Sequence, residues 1–452
     1  MNDLNQALAQ LRDVLWGPWL LVLLVGTGIW LTVCLRGIQF RLLGYALKLA
    51  FSPERQGPGD VSHFGALMIA LAATVGVGNI AGVATAVAAG GPGAVVWMWL
   101  TAVFGMATKY AEAFLAVRYR ETNAAGEMAG GPMYYLKNGL GSRFLAGLFA
   151  AAGALAAFGI GNMVQANTTA QAIEDLTGLA PVWAGTGLAG LTWLVVIGGV
   201  RRIARVVTRF VPVMVILYFL GSLVVILRHW EQVPEGLVLL FRGAVSGTAA
   251  AGGFAGATLA QAVNYGVARG LFSNEAGLGS APIAAAAAKT RQPGKQALVS
   301  MTGTFIDTLV VCSFTGLTLA ATGAWTSGET GVALTLRAFQ AGLPGEWGSG
   351  LITLAVITFA FSTILGWSYY GEKCFEYLTR QRGVRLYRYA WVIAVFVGAV
   401  TQLELVWNLS DAMNALMAVP NLVGLLLLSR VLSRETRSFE RGLRDGSIPR
   451  WD

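Results

Sequence analysis

Apolar runs long enough to cross a bilayer recur from one end of this chain to the other, each closed by charges, proline or glycine. A membrane-crossing helix needs roughly 20 such residues, and the pattern marks eleven, at roughly 18–35, 64–89, 93–117, 145–173, 181–199, 208–227, 243–267, 297–323, 349–379, 386–403 and 407–429. The residues before the first run carry Arg12 against Asp3 and Asp13, and the stretch from Trp16 to Leu35 is long enough to span, so it reads as a retained helix rather than a cleaved leader. Basic residues in short loops stay on the cytoplasmic side. With the N-terminus outside and the C-terminus inside, those loops collect Arg36, Arg41, Lys48 and Arg55, then Arg118, Arg120, Lys137 and Arg143, then Arg201, Arg202, Arg205 and Arg209. They also collect Arg269, Lys289, Arg291 and Lys295, then Lys373, Arg380, Arg382, Arg385 and Arg388, and finally the arginines of the tail.

Two of the eleven spans are interrupted. The second carries Ala72-Ala73-Thr74-Val75-Gly76-Val77-Gly78-Asn79, and the seventh carries Gly252-Gly253-Phe254-Ala255-Gly256. Backbone that leaves the helix at membrane depth is tolerated only where it lines a cavity or holds a ligand. The interrupted spans lie five apart and run in opposite directions, the signature of an inverted repeat. The expected fold is therefore an all-α polytopic membrane protein of 11 transmembrane helices. An accessory N-terminal helix and its loop occupy residues 1–60, a 5+5 inverted-repeat core occupies 61–430 with halves at about 61–228 and 236–430, and a basic cytoplasmic tail follows over 431–452.

Composition narrows the function. Charged residues make up 12% of the 452 and hydrophobic ones 55%, too little charge for a soluble surface, so the lipid bilayer is the chain's solvent. The net charge of +9 is scattered through loops rather than gathered on one face, and no nucleic-acid partner is expected. Three isolated cysteines and two histidines exclude a disulfide framework and a structural zinc site. There is no Walker loop, no HExxH and no GxSxG elbow, so ATP-driven transport and intramembrane hydrolysis lack their parts and no organic cofactor is implied.

A broken helix frees N–H groups at one end and carbonyls at the other; the first attract a carboxylate and the second a cation. An amino acid carries both charges. Thr74 and Asn79 flank the first break with side-chain oxygens suited to Na⁺ or an ammonium, although Gly76, Gly78 and Gly82 equally suit close helix packing. Gln165 lies in an unusually polar stretch of the fourth span, where its amide either meets a ligand or bridges helices. Ser362 and Thr363 stand one turn before Trp367: hydroxyls suit Na⁺ and an indole can close a small pocket, while back-bonding hydroxyls and a core tryptophan are the structural alternative. Glu112 reads as neutralised by Lys109 three residues earlier. Asp307 has no such neighbour and is a candidate for cation or proton handling.

The chain resembles the alanine or glycine:cation symporters over residues 60–430. The resemblance rests on Gly76-Val77-Gly78-Asn79-Ile80-Ala81-Gly82, Gly90-Gly91-Pro92-Gly93, Gly130-Gly131-Pro132-Met133-Tyr134-Tyr135, Gly161-Asn162-Met163-Val164-Gln165-Ala166-Asn167 and Gly270-Leu271-Phe272-Ser273-Asn274-Glu275-Ala276-Gly277-Leu278-Gly279-Ser280-Ala281-Pro282. It implies a leucine-transporter-type fold that works by alternating access. It implies a substrate site formed by Thr74, Gly76, Val77, Gly78, Asn79, Gln165, Gly253, Phe254 and Trp367, and a Na⁺ site formed by the Ala72 and Val75 carbonyls with Ser362 and Thr363. Val77 stands where the family usually has Thr, Val96 where it has Phe and Ala285 where it has His, and the first of these bears on which amino acid is preferred. The expected function is Na⁺-driven uptake of a small neutral amino acid, alanine or glycine with D-alanine in range, by a monomer in the cell membrane. The alternatives are proton coupling through Asp307, or a sensor or channel on the same scaffold.

Overall fold

The helices begin where their end groups are satisfied. Proline opens the helices Pro18–Cys34, Pro181–Val196, Pro282–Ala286 and Pro293–Thr304, in the turn where an N–H has no partner to lose. Ser62 and Ser142 cap the next ones, their hydroxyls accepting from Gly65 N at 3.0 Å and Leu145 N at 3.3 Å. The computed structural model describes residues 2–52, 57–246, 258–401 and 404–449, and they are helical almost throughout. A two-stranded antiparallel ribbon pairs Glu121 with Ala129 and Thr122 with Met128.

Seven helical stretches among the described residues are long and apolar enough to cross a membrane, and His63–Thr74 with Gly78–Gly90, bent by 54°, makes an eighth. Two further expected spans appear as the shorter helices Pro181–Val196, of 16 residues, and Val384–Val400, of 17. The glycines at 252, 253 and 256, with Phe254, lie outside the described residues. A second break is described further along the chain. The helix Leu259–Asn274 ends, Glu275, Gly277 and Gly279 take left-handed backbone at φ 55°, 93° and 84°, and the helix Pro282–Ala286 resumes.

Leu259–Asn274 lies along Ala94–Arg118, with Gly266 beside Ala94 and Gly270 beside Met98 and Thr101. This brings Phe272 against Gly78, so the two breaks face each other. Arg269, expected in a basic cytoplasmic loop, instead lies within this helix, its guanidinium 5.8 Å from the centroid of the Phe272 ring. The helix starts later than the hydrophobic pattern suggested, because apolar residues 233–246 form a separate helix before it.

Two helical π-turns, Gly159–Met163 and Phe305–Cys312, sit at mid-length of the spans over 143–177 and 293–322. Such turns widen a helix locally and are common at functional sites. The 33-residue helix Trp347–Thr379 closes the group and crosses the first broken span at very short range. A Cβ on Gly366 would lie 2.6 Å from Ala73 N, and one on Gly161 would collide with the Trp367 side chain. Residues of this tail fold as the amphipathic helix Ser429–Asp445, which buries Leu432, Phe439 and Leu443 and is tied down by Arg118–Glu435 at 3.0 Å and Arg41–Glu440 at 2.8 Å.

Gly366→Ala forces backbone apart at the crossing, and overpacking of this kind costs about 1–3 kcal/mol. Thermal unfolding in detergent should show a lower midpoint; an unchanged midpoint contradicts the contact.

Candidate functional site: a small cavity between two helix breaks

The first break starts where the helix His63–Thr74 gives way at Val75, whose ψ of 89° takes the chain out of the helix. Val77 and Gly78 open the new segment, and the first N–H groups of a helical segment have no carbonyl behind them. Gly76 N finds a local acceptor, Asn79 Oδ1, at 2.9 Å. The Asn79 Nδ2 then donates to Asp307 Oδ1 at 2.8 Å and to the Asp307 carbonyl at 3.2 Å. Asn79 is wholly buried and its amide is spent on protein. The side chain expected to meet the substrate fastens the bend to the π-turn of the span over 293–322.

Asp307, isolated in sequence, is surrounded in space. Ser273 Oγ and Thr308 Oγ1 donate to its Oδ2 at 2.9 and 2.7 Å, adding to the Asn79 bond. Three donors converge on this carboxyl group and make it the acceptor on which the first break is anchored.

Glu112 also departs from its sequence reading. Its Oε1 accepts from Gly277 N and Gly279 N, each at 3.1 Å, and from Asn421 Nδ2 at 2.7 Å. The carboxylate occupies the N–H nest of the second break, so those groups are not left for a ligand. Lys109, its presumed partner, has no hydrogen bond at its Nζ. It lines a separate small cavity with Thr74, Asn274 and Thr304, within electrostatic range of Glu112, Glu275 and Asp307. An i,i+3 pairing rule describes exposed helix surfaces, whereas here a better acceptor role lay across the bundle.

Between the breaks lies a narrow cavity of about 30 Å³, large enough to admit water. Thr74, Gly76, Val77, Gly78, Gln165, Thr363 and Trp367 line it, together with Glu275 and Phe272, which sequence reasoning did not single out. Gln165 donates to the Ile160 carbonyl at 2.9 Å, and its buried Oε1 has no partner. Trp367 is held by its indole N–H, which donates to Glu275 Oε1 at 3.0 Å, while Ser280 bonds the other carboxylate oxygen. The signal for Glu275 was present in Asn274-Glu275-Ala276-Gly277-Leu278-Gly279, a carboxylate beside alternating glycines, but a loop assignment hid it. Ala72, Val75 and Ser362 are buried at one side, with Thr363 Oγ1 2.5 Å from where a Gly76 Cβ would sit. Ser362 Oγ donates to the Phe359 carbonyl at 2.8 Å and Thr363 Oγ1 to the same carbonyl at 3.0 Å. Hydroxyls that spend their hydrogen within their own helix keep oxygen lone pairs available, which is what a hard cation requires.

A wide vestibule of about 650 Å³ lies on one side, lined among others by Arg12, Trp16, Arg269 and Asp411, and shares Val77, Gly78, Ile160, Gln165 and Phe272 with the cavity. The opposite end is tied shut. Arg120 donates to the carbonyls of Ala286 and Ala288 at 2.7 Å, of Pro58 at 2.8 Å and of Thr290 at 2.7 Å, while Val61 and Ala288 form a parallel bridge.

A helical membrane protein with two facing breaks around a small polar cavity has the architecture of a secondary transporter. The chain belongs to the sodium:alanine symporter family, whose model matches residues 1–452. It is 53% identical to the sodium/alanine symporter AgcS of Methanococcus maripaludis, over 95% of each chain. It is 50% identical to an uncharacterized transporter of Haemophilus influenzae, over 98% of this chain and 97% of that one. Among solved structures, MhsT in complex with L-phenylalanine superposes with a TM-score of 0.57 at 12% identity, over 85% of this chain and 99% of that one, which shows the fold as leucine-transporter type. The chain is thus a multi-pass membrane carrier that couples amino-acid symport to Na⁺, and not an enzyme.

Glu112→Ala leaves two backbone N–H groups and the Asn421 amide without their acceptor. Removing one member of a buried charged network costs about 3–5 kcal/mol, so the variant should unfold at lower temperature or denaturant than wild type. Equal stability contradicts the role of Glu112 in holding the second break.

Proposed function

We propose that this chain takes up a small neutral amino acid, alanine or glycine, together with Na⁺, by alternating access. The observation that carries the reading is the small cavity between the breaks, walled by Trp367 and bordered by the unpaired Gln165 Oε1. The Gln165 oxygen and the Glu275 carboxylate face a substrate ammonium, and the opening N–H groups at Val77 and Gly78 face its carboxylate. Na⁺ sits beside it among the Ala72 and Val75 carbonyls and the Ser362 and Thr363 hydroxyls. Val77 contributes no hydroxyl and so keeps this wall apolar. The D-isomer stays in range because recognition falls mainly on the charged ends.

Alternating access draws support from the asymmetry of the two ends. Basic-residue placement makes the Arg120 end cytoplasmic and the vestibule extracellular, with the N-terminus outside. The structure then represents a state closed inward, with Val77, Ile160, Gln165 and Phe272 as the thin layer between vestibule and cavity. The two facing breaks lie in oppositely directed spans, which supports an inverted repeat over about 61–228 and 236–430. A zwitterion moves no net charge, so one Na⁺ entering through ~100 mV supplies ~2.3 kcal/mol. A tenfold Na⁺ gradient adds ~1.4 kcal/mol, and together they support roughly 500-fold accumulation.

The test is radiolabelled uptake into proteoliposomes across a panel of amino acids, with Na⁺, Li⁺ and H⁺ gradients imposed separately. Alanine or glycine should enter only with Na⁺. Accumulation driven by a pH gradient alone contradicts the reading and returns Asp307 as a proton carrier.

Thr363→Ala removes one hydroxyl ligand and should raise the Na⁺ concentration for half-maximal uptake about tenfold, the equivalent of ~1.4 kcal/mol. Unchanged Na⁺ dependence takes Thr363 out of the ion site. Arg120→Ala frees four carbonyls at the inner closure and should make a cysteine introduced on the cavity wall more reactive from the cytoplasmic side; unaltered labelling contradicts the closure.

A further inference from the structure

We propose that the groove between the helix Ser429–Asp445 and the end of Pro18–Cys34 binds the headgroup of an anionic phospholipid. Arg430, Arg434, Arg437 and Arg441 recur at spacings of four and three along one face of the tail helix, and all four are exposed. With Trp30 and Cys34 they enclose a groove of about 470 Å³. The acids of the tail helix are turned elsewhere: Glu435 is paired with Arg118 and Glu440 with Arg41. Asp445, one turn beyond, feels the charge of Arg441 without pairing with it. None of the four arginines makes a hydrogen bond or ion pair among the described residues, so their guanidinium groups are free to converge on phosphate oxygens, the geometry at which arginine excels.

The groove is fixed in place rather than being a loose basic tail. Leu432, Phe439 and Leu443 are buried beneath it, and Ser433 Oγ donates to the Cys34 carbonyl at 3.0 Å, stapling the helix to the end of the span. The occupant is a lipid and not a soluble phosphate because one wall is membrane surface. Trp30 is 50% exposed and Val33 66%, on a helix whose apolar stretch crosses the bilayer, so acyl chains can lie along it while the headgroup reaches the arginines. Four arginines at a membrane surface are the pattern of anionic-lipid recognition. A solvated basic face that only sets topology needs no groove and no fixed partner helix.

The full chain, reconstituted in mixed phosphatidylglycerol and phosphatidylcholine nanodiscs and re-extracted in mild detergent, is analysed by native mass spectrometry for retained lipid. Wild type should keep phosphatidylglycerol in preference to phosphatidylcholine. Arg434→Gln with Arg437→Gln should lower that preference about 30-fold, or ~1 kcal/mol for each arginine, while the paired lysine replacements keep most of it. Both positions are exposed and unpaired, so the fold should persist, which thermal unfolding checks. Equal retention by wild type and the glutamine variant overturns the proposal. Displacement of the bound lipid by inorganic phosphate alone, or a lysine variant as defective as the glutamine one in a folded protein, also overturns it.

Discussion

A peptide group inside hydrocarbon must find a partner within the protein, and the site described above is the place where that requirement is met in two different ways. At the second break the protein supplies its own acceptor: Glu112 holds Gly277 N and Gly279 N. At the first, Asn79 takes Gly76 N and is itself anchored on Asp307. These two side chains hold the breaks in place through the protein's own hydrogen bonds. What they leave over, the groups around Val75, Val77, Gly78 and Gln165, is what the proposed substrate and ion share.

The buried charges follow from this division. Asp307 and Glu275 each accept bonds that shape the cavity, the first through Asn79 and the second through Trp367. Lys109, whose buried nitrogen makes no hydrogen bond, lies within electrostatic range of both and of Glu112. Carboxylates at this depth are expensive unless they are hydrogen-bonded, and the donors from Asn79, Ser273, Thr308, Trp367 and Ser280 meet that requirement for Asp307 and Glu275. Trp367 in turn fits only because Gly161 leaves room for it, which links the wall of the cavity to the π-turn of the span over 143–177. Closure of one end by Arg120 and the width of the vestibule at the other give the molecule a single sense of access.

Much of this was legible from the chain. The period and length of apolar runs marked the spans, and glycine with a polar residue in mid-span marked the first break; both depend on local sequence alone. Thr74, Gly76, Gly78, Gln165, Thr363 and Trp367 were recognised and are brought to one cavity. What the sequence hid were relations between distant segments. Glu112 lies in the third span and its partners follow Asn274, so an i,i+3 lysine looked like the natural counter-charge until the fold was known. Asn79 looked like a ligand because an amide near a break suits one, yet Asp307, 228 residues away, claims it. Glu275 falls between the apolar runs at 243–267 and 297–323, so nothing in the local pattern marks it as facing a cavity.

The central claim is that Na⁺ and the amino acid meet at one break and stabilise each other there. Equilibrium binding of labelled alanine to the purified protein, titrated with Na⁺, and of Na⁺ titrated with alanine, tests it through linkage. If the two share a site, each must raise the affinity for the other by the same factor, and Ser362→Ala with Thr363→Ala should erase both effects together. Alanine affinity that is indifferent to Na⁺ in the wild-type protein contradicts the account.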